Sequence, residues 1–310
     1  MRSAVPVRAD GDGRASVSLA ELLALRARVG RVRPHPLDSR ALAAGQRSSR
    51  LYGRGMDYAE SRVYQPGDDV RRLDWRLTAR SGELHTKLFQ EEREGRLLVL
   101  LDTHPSMRFG TRVRFKSVQA ARAAAVAGWY AVRAGERVGA MAFGSCRQLL
   151  KPQGGPRGAV GLCGALAEWD RTTRGIEAAE PLSEALARGG RLHGANRVLL
   201  ISDGMSCDEA ARGRLREMTR HASVAVLVVA DALELELPPP GRYPLEHAGQ
   251  RREVSLHGMR QRSEFQQALG AGQARLGALA QALGLRWRSL DTTADPLEAV
   301  TALLGVRSSR

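Results

Sequence analysis

A chain of 310 residues with 43% hydrophobic content can bury one large core, or a large and a small one, without disulfides, and is too apolar for wholesale disorder. No apolar run approaches the ~18–20 residues of a bilayer span, and Met1-Arg2-Ser3-Ala4-Val5 leads into acids and glycines instead of a signal-peptide centre, so a soluble, cytoplasmic protein is expected. The net charge of +15 suggests an anionic partner at first sight, but it is diffuse: +6 over residues 1–50, zero over 51–96, +8 over 97–230 and +1 over 231–310.

The first fifty residues read as a basic lead-in holding one short helix, Leu19–Leu25, capped by Ser18, followed by an extended Arg33-Pro34-His35-Pro36 stretch. Residues 51–96 form a second region. Pro66-Gly67-Asp68-Asp69 is a turn signal, and the interleaved acids and arginines after it favour short strands and loops over a long helix. Arg71, Arg72 and Arg80 are expected to pair with Asp68, Asp69 and Asp74, and Trp75 to serve as a packing anchor. Forty-six residues with few large apolar side chains make a poor independent core, so this β-rich extension is expected to pack on the region from residue 97 onward.

From Leu97 the pattern alternates strand and helix, the mark of a doubly wound, mostly parallel α/β sheet over residues 97–305. Leu97–Leu101 and Val198–Ile201 are continuous apolar runs of the kind buried on both faces, the second within the strand Arg197–Ser202. Arg137–Phe143, Arg147–Leu150, Val224–Ala230 and Leu285–Leu290 supply further strands, with a hairpin at Tyr243–Leu256. Helices are expected over Phe115–Val132, Ala159–Trp169, Leu182–Arg191, Glu209–Arg220, Ser263–Leu283 and Asp295–Leu303.

Ligands of such sheets bind outside the carboxyl ends of the strands. Two strands end there in carboxylates: Asp102, followed by Thr103-His104-Pro105-Ser106, and Asp203, followed by Gly204-Met205-Ser206. Two aspartates with nearby hydroxyls make an oxygen-lined pocket suited to a hard cation; alternatively, both only cap the helices that follow and satisfy loop amides. Cys146, Cys163 and Cys207 are widely spaced and form no CxxC pair, which gives neither a disulfide framework nor a zinc site. The patterns G-x-S-x-G, G-K-[ST] and H-E-x-x-H are absent, and Gly154–Gly158 lacks the lysine of a phosphate cradle.

The run from Tyr52 to Trp75, continuing to Thr78-Ala79-Arg80, resembles the hallmark of domain-of-unknown-function family fifty-eight, and Asp102–Gly110, Gly135–Gly139 and Ile201-Ser202-Asp203 come after it in the family's order. The resemblance spans roughly residues 45–305 and implies a von Willebrand factor A-like fold. It also implies a partnership with a MoxR-type AAA+ ATPase, with this chain as a non-enzymatic adaptor or co-chaperone towards a client protein. The fold's metal motif, Asp-x-Ser-x-Ser with a threonine and a second aspartate, carries over onto Asp102, His104, Ser106, Glu180 and Asp203. His104 and Glu180 depart from it by replacing a serine and the threonine. The implied ion is Mg²⁺ or Mn²⁺, or Zn²⁺ through the imidazole nitrogen. The rival functions are a metal-dependent hydrolase using Asp102 and Asp203, for which a recognisable base or nucleophile is missing, and an arginine-rich nucleic-acid binder, opposed by the diffuse charge and only 5% aromatic residues.

Overall fold

The computed structural model describes residues 10–31, 56–91, 95–176, 180–189, 194–247 and 250–305. The chain divides into two compact units, with boundaries after residues 37 and 94.

The smaller unit is an antiparallel pair, β1 (Met56–Val63) and β2 (His85–Glu91), with a register shift between Tyr58 and Glu60. The turn at Pro66–Asp69 is held by Asp68, whose carboxylate accepts from the Gln65 amide at 2.9 Å and pairs with Arg62 at 2.7 Å. Asp69 accepts from the Arg71 amide at 3.0 Å and lies 3.9 Å from the Arg72 guanidinium. Asp74 caps a short helix (Trp75–Ser81), accepting from the Leu77 amide at 3.1 Å and the Ser61 hydroxyl at 2.8 Å. Its carboxylate is thus used by a turn and a hydroxyl and not by Arg80. Trp75 is 67% exposed and is not buried within the smaller unit.

The larger unit is built on a six-stranded sheet. Its strands are β3 (Arg96–Asp102), β4 (Arg137–Phe143), β5 (Leu149–Gln153), β6 (Arg197–Ser202), β7 (Ser223–Ala230) and β10 (Arg286–Asp291), the hairpin β8 (Gly241–His247) and β9 (Gln250–Leu256) standing outside it. The spatial order is β10-β7-β6-β3-β4-β5, all parallel except for β5, which runs antiparallel to β4. Leu97 faces Arg197 and Leu101 faces Ile201 across the parallel β3–β6 pair, as the two unpatterned apolar runs predicted. Along β3, Leu97, Val99 and Leu101 join one core cluster, and Leu98 and Leu100 join another. Alternate side chains therefore serve opposite faces, and both faces are covered by helices.

One face carries the long helix Lys116–Arg133 together with Gly155–Thr172 and Pro296–Leu304; the other carries Leu182–Gly189, Ala211–Met218 and Met259–Ala282. The N-terminal helix (Leu19–Val29) joins the first of these layers. It runs one turn past its predicted end and buries Leu22, Leu25 and Val29. The Trp129 indole donates to the Leu22 carbonyl at 3.1 Å, and Glu21 pairs with Arg122 at 2.7 Å. Beneath the sheet, Arg197, 1% exposed, reaches Glu136 at 2.7 Å and donates to the Leu304 carbonyl at 2.7 Å, tying the last helix to two strands.

Several segments differ from their expected bounds, among them the helix Met259–Ala282, which starts four residues early, and Ala211–Met218, which is shorter at both ends; two others differ for local reasons. The helix expected from Ala159 begins at Gly155, because Pro156 is admitted in a first turn, where its missing N–H costs nothing. The glycine-rich run is therefore a helix start. The strand expected at Arg147–Leu150 lies at Leu149–Gln153 and carries Lys151 and Pro152 on the outer edge of the sheet, with its register shift against β4 at that point. The segment 190–191, expected to end a helix, lies outside the described residues.

Candidate functional site

Numbered within the larger unit, the sheet order is 3-2-1-4-5-6, and its topological switch point lies between β3 and β6. Asp102 is the last residue of β3, and Asp203 comes directly after β6. Parallel, in-register strands carry both to the same edge, where both are buried, 1% and 2% exposed.

Asp102 is saturated by the chain's own donors. One oxygen accepts from the His104 amide at 2.8 Å; the other accepts from the hydroxyls of Ser202 at 2.6 Å and Ser206 at 2.7 Å. Burial, and secondly the Asp203 charge beside it, push its pKa up to about 7, against the pull of those three donors. Ser106 does not bond Asp102. Its hydroxyl lies 2.9 Å from His104 Nδ1, which also accepts from the Ser106 amide at 3.3 Å and so caps the short turn Pro105–Met107. Burial holds His104 below the usual imidazole range, with the Lys116 charge adding to this and Asp203 opposing it.

Asp203 has a cation of its own. Lys116 Nζ lies 2.8 Å from Asp203 Oδ2 and 2.5 Å from Glu234 Oε1, and its side chain is 1% exposed. Burial alone would lower the ammonium's pKa, but Asp203 and Glu234 outweigh it and hold the group above its ordinary value, fully charged. The second oxygen of Glu234 accepts from the Asp231 amide at 2.8 Å, closing a capping box on the turn Ala232–Leu235.

Backbone contacts register these carboxylates. Gly204, at φ +80°, lies against Gly272 of the helix Met259–Ala282, where a Cβ would meet the Gly272 carbonyl oxygen at 2.1 Å. A Cβ on Gly272 would lie 2.8 Å from the Asp203 carbonyl oxygen, and one on Gly270 would lie 2.7 Å from that of Glu234. One helical turn thus seats both residues that grip Lys116. Glu180, the fifth expected ligand, is held at the same end of the sheet by its amide, which donates to the Gly144 carbonyl at 3.1 Å, but its carboxylate is paired with Arg188 at 2.6 Å and lies 3.7 Å from Arg147.

Of the five residues carried over from the resemblance, the structure brings Asp102 and Asp203 together with His104 beside them, directs Ser106 to His104, and turns Glu180 to arginines. Among the described residues no three His, Cys, Asp or Glu side chains gather as a metal-ligating group. As arranged, the donor set does not fit the oxygen cage that a hard divalent ion demands, since an ammonium already lies between Asp203 and Glu234. Sequence reasoning missed Lys116, Glu234 and Ser202; it had set the Ser206 hydroxyl beside the two aspartates, and the structure shows it donating to Asp102. One signal for Lys116 was present: it is one of three lysines among 48 basic residues, the others being Lys87 and Lys151, and it opens a helix, where the dipole disfavours a cation.

Residues 60–275 match the family described as Protein of unknown function DUF58. The chain belongs to the DUF58 family. This DUF58 protein is also 30% identical over 259 residues, 82% of its own length and 80% of theirs, to Uncharacterized protein Mb1516 of Mycobacterium bovis and to Uncharacterized protein Rv1480 of Mycobacterium tuberculosis. Among solved structures it is similar to an aerotolerance-related membrane protein from Bacteroides fragilis, with 14% identity, coverage of 67% of this chain and 96% of that one, and a TM-score of 0.43. It is also similar to the SpRpn10 VWA domain, with 9% identity, coverage of 67% and 94%, and a TM-score of 0.34. No described helix of the DUF58 chain is long and apolar enough to cross a membrane.

Proposed function

We propose that this DUF58 protein is a non-enzymatic interaction module that joins a MoxR-type AAA+ ATPase to a client protein, with the strand-end face as its docking surface. The observation that supports this most is the self-sufficiency of the switch point. Where an α/β enzyme keeps reactive groups facing a substrate, Asp102 is held by Ser202, Ser206 and the His104 amide, and Asp203 by Lys116. The contact between His104 and Ser106 is the nearest approach to a base beside a nucleophile. It is accounted for by the capping of the Pro105 turn, and among the described residues no carboxylate is hydrogen-bonded to the other ring nitrogen to orient it as a base. What the face offers outward is the half-buried His104 and Ser106 and Met205, 39% exposed on the loop after β6.

The test mixes the purified protein with the purified MoxR-type ATPase of the same genome, in nucleotide-free, ADP and ATP-analogue states, and measures association by sedimentation. A complex is expected in at least one state, weakened tenfold or more, about 1.4 kcal/mol, by Met205→Glu with unchanged melting. No complex in any state contradicts the partnership. Phosphatase or esterase turnover that disappears in Asp102→Ala would make the protein the metal-dependent hydrolase instead, and DNA retention falling steeply with salt would make it a nucleic-acid binder.

A further inference from the structure

We infer that the Lys116 ammonium is the chain's own tethered cation at the strand-end site, held by Asp203, one of the carboxylates from which the resemblance implies a divalent metal, and that the site is complete without one. The position of Lys116 is costly on its own terms. It is the first residue of the helix Lys116–Arg133, where aligned peptide dipoles repel a positive charge, and its side chain is withdrawn from water to 1% exposure. A flexible lysine placed so unfavourably is retained only where its partners offset the loss. Here they do: Nζ is 2.8 Å from Asp203 and 2.5 Å from Glu234, and lies 5.6 Å from the centre of the Phe109 ring.

The residue type carries the same meaning. All but three of the 48 basic residues are arginine, yet the cation at the switch point is a lysine. An ammonium is a compact point charge with three donors, closest among side chains to a small metal ion, whereas a guanidinium is a broad planar fork. The remaining groups expected around a metal are otherwise engaged. Asp102 is filled by two hydroxyls and an amide, and Glu180 by Arg188. A divalent ion entering beside Asp203 would have to drive a charged ammonium out of a buried position whose carboxylates already hold it. The ammonium is also only 1% exposed, so it lies out of reach of a partner's oxygen. The tethered cation is independent of the adaptor reading.

The experiment is thermal melting of the full chain in EDTA, in Mg²⁺ and in Mn²⁺, beside Lys116→Met and the triple variant Lys116→Met/Asp203→Asn/Glu234→Gln. The wild type is expected to melt at the same temperature in all three conditions. Lys116→Met, which leaves two buried carboxylates without a cation, is expected to melt about 10 °C lower or to fail to fold. The triple variant, which removes the stranded charges, is expected to recover at least half of that loss. A saturable rise of several degrees for the wild type in Mg²⁺ or Mn²⁺ overturns the inference. So does a Lys116→Met protein that melts with the wild type, or a triple variant no more stable than the single one.

Discussion

Asp102 shows how a single side chain records its surroundings. Its carboxyl is buried beside a second carboxylate and stands at about 7 instead of 3.8. An acid whose folded-state pKa lies above its unfolded value binds its proton more tightly in the folded chain, so ionising it costs stability. The contribution is therefore favourable at low pH and is lost as pH rises from 3.8 through about 7. Asp102→Asn has nothing to ionise, and its stability relative to the wild type should climb across that window and level off above it. Urea midpoints of both proteins at several pH values measure this; a difference that stays flat, or falls towards high pH, contradicts it. That Asp102 and Asp203 share an edge was legible in the sequence, because each follows the carboxyl end of an unbroken apolar run, Asp102 directly and Asp203 after Ser202. Lys116 was not. Its partners lie 87 and 118 residues away, and no local pattern joins a helix start to two loops brought together only by the sheet.

Among the elements, the helix Met259–Ala282 carries the most unusual constraint, since its glycines at 270 and 272 touch the backbone of the loops that bear Glu234 and Asp203. Glycine inside a helix ordinarily costs about 1 kcal/mol relative to alanine. At Gly272 the sign should reverse, because a Cβ there would lie 2.7 Å from the Met205 amide nitrogen and 2.8 Å from the Asp203 carbonyl oxygen, neither of which can yield as a flexible side chain does. Gly272→Ala is expected to lose about 1–3 kcal/mol through overpacking. Gly213→Ala, in the helix Ala211–Met218, meets nothing within 4 Å and should gain up to about 1 kcal/mol. Denaturant unfolding of the two variants checks the opposition, and equal signs would refute it. Helices and strands were legible here because periods of 3.6 and 2 are written into the side chains. Which glycine is a contact and which is merely a gap was not, since that depends on what lies opposite.

At the scale of the molecule, residues 10–31 of the basic N-terminal segment prove to be part of the α/β unit. Its composition reads as a solvated lead-in, yet Leu22, Leu25 and Val29, at helical spacing, are buried in the core together with Val17. Each contributes about 1.5–3 kcal/mol when removed from water, an upper figure because the unfolded chain is itself partly compact. A chain that begins at residue 32 should thus lose about 5 kcal/mol and melt at least 10 °C below the full protein. Equal melting of the two would show that the helix is an accessory. The sheet that this layer covers also has a defended margin. Its antiparallel edge strand, Leu149–Gln153, places Lys151 and Pro152 where another strand would have to pair. Proline offers no N–H to a neighbour, and an edge lysine must be desolvated before a second strand can approach. On that side the sheet is closed to growth, and a polymer of stacked copies cannot begin there.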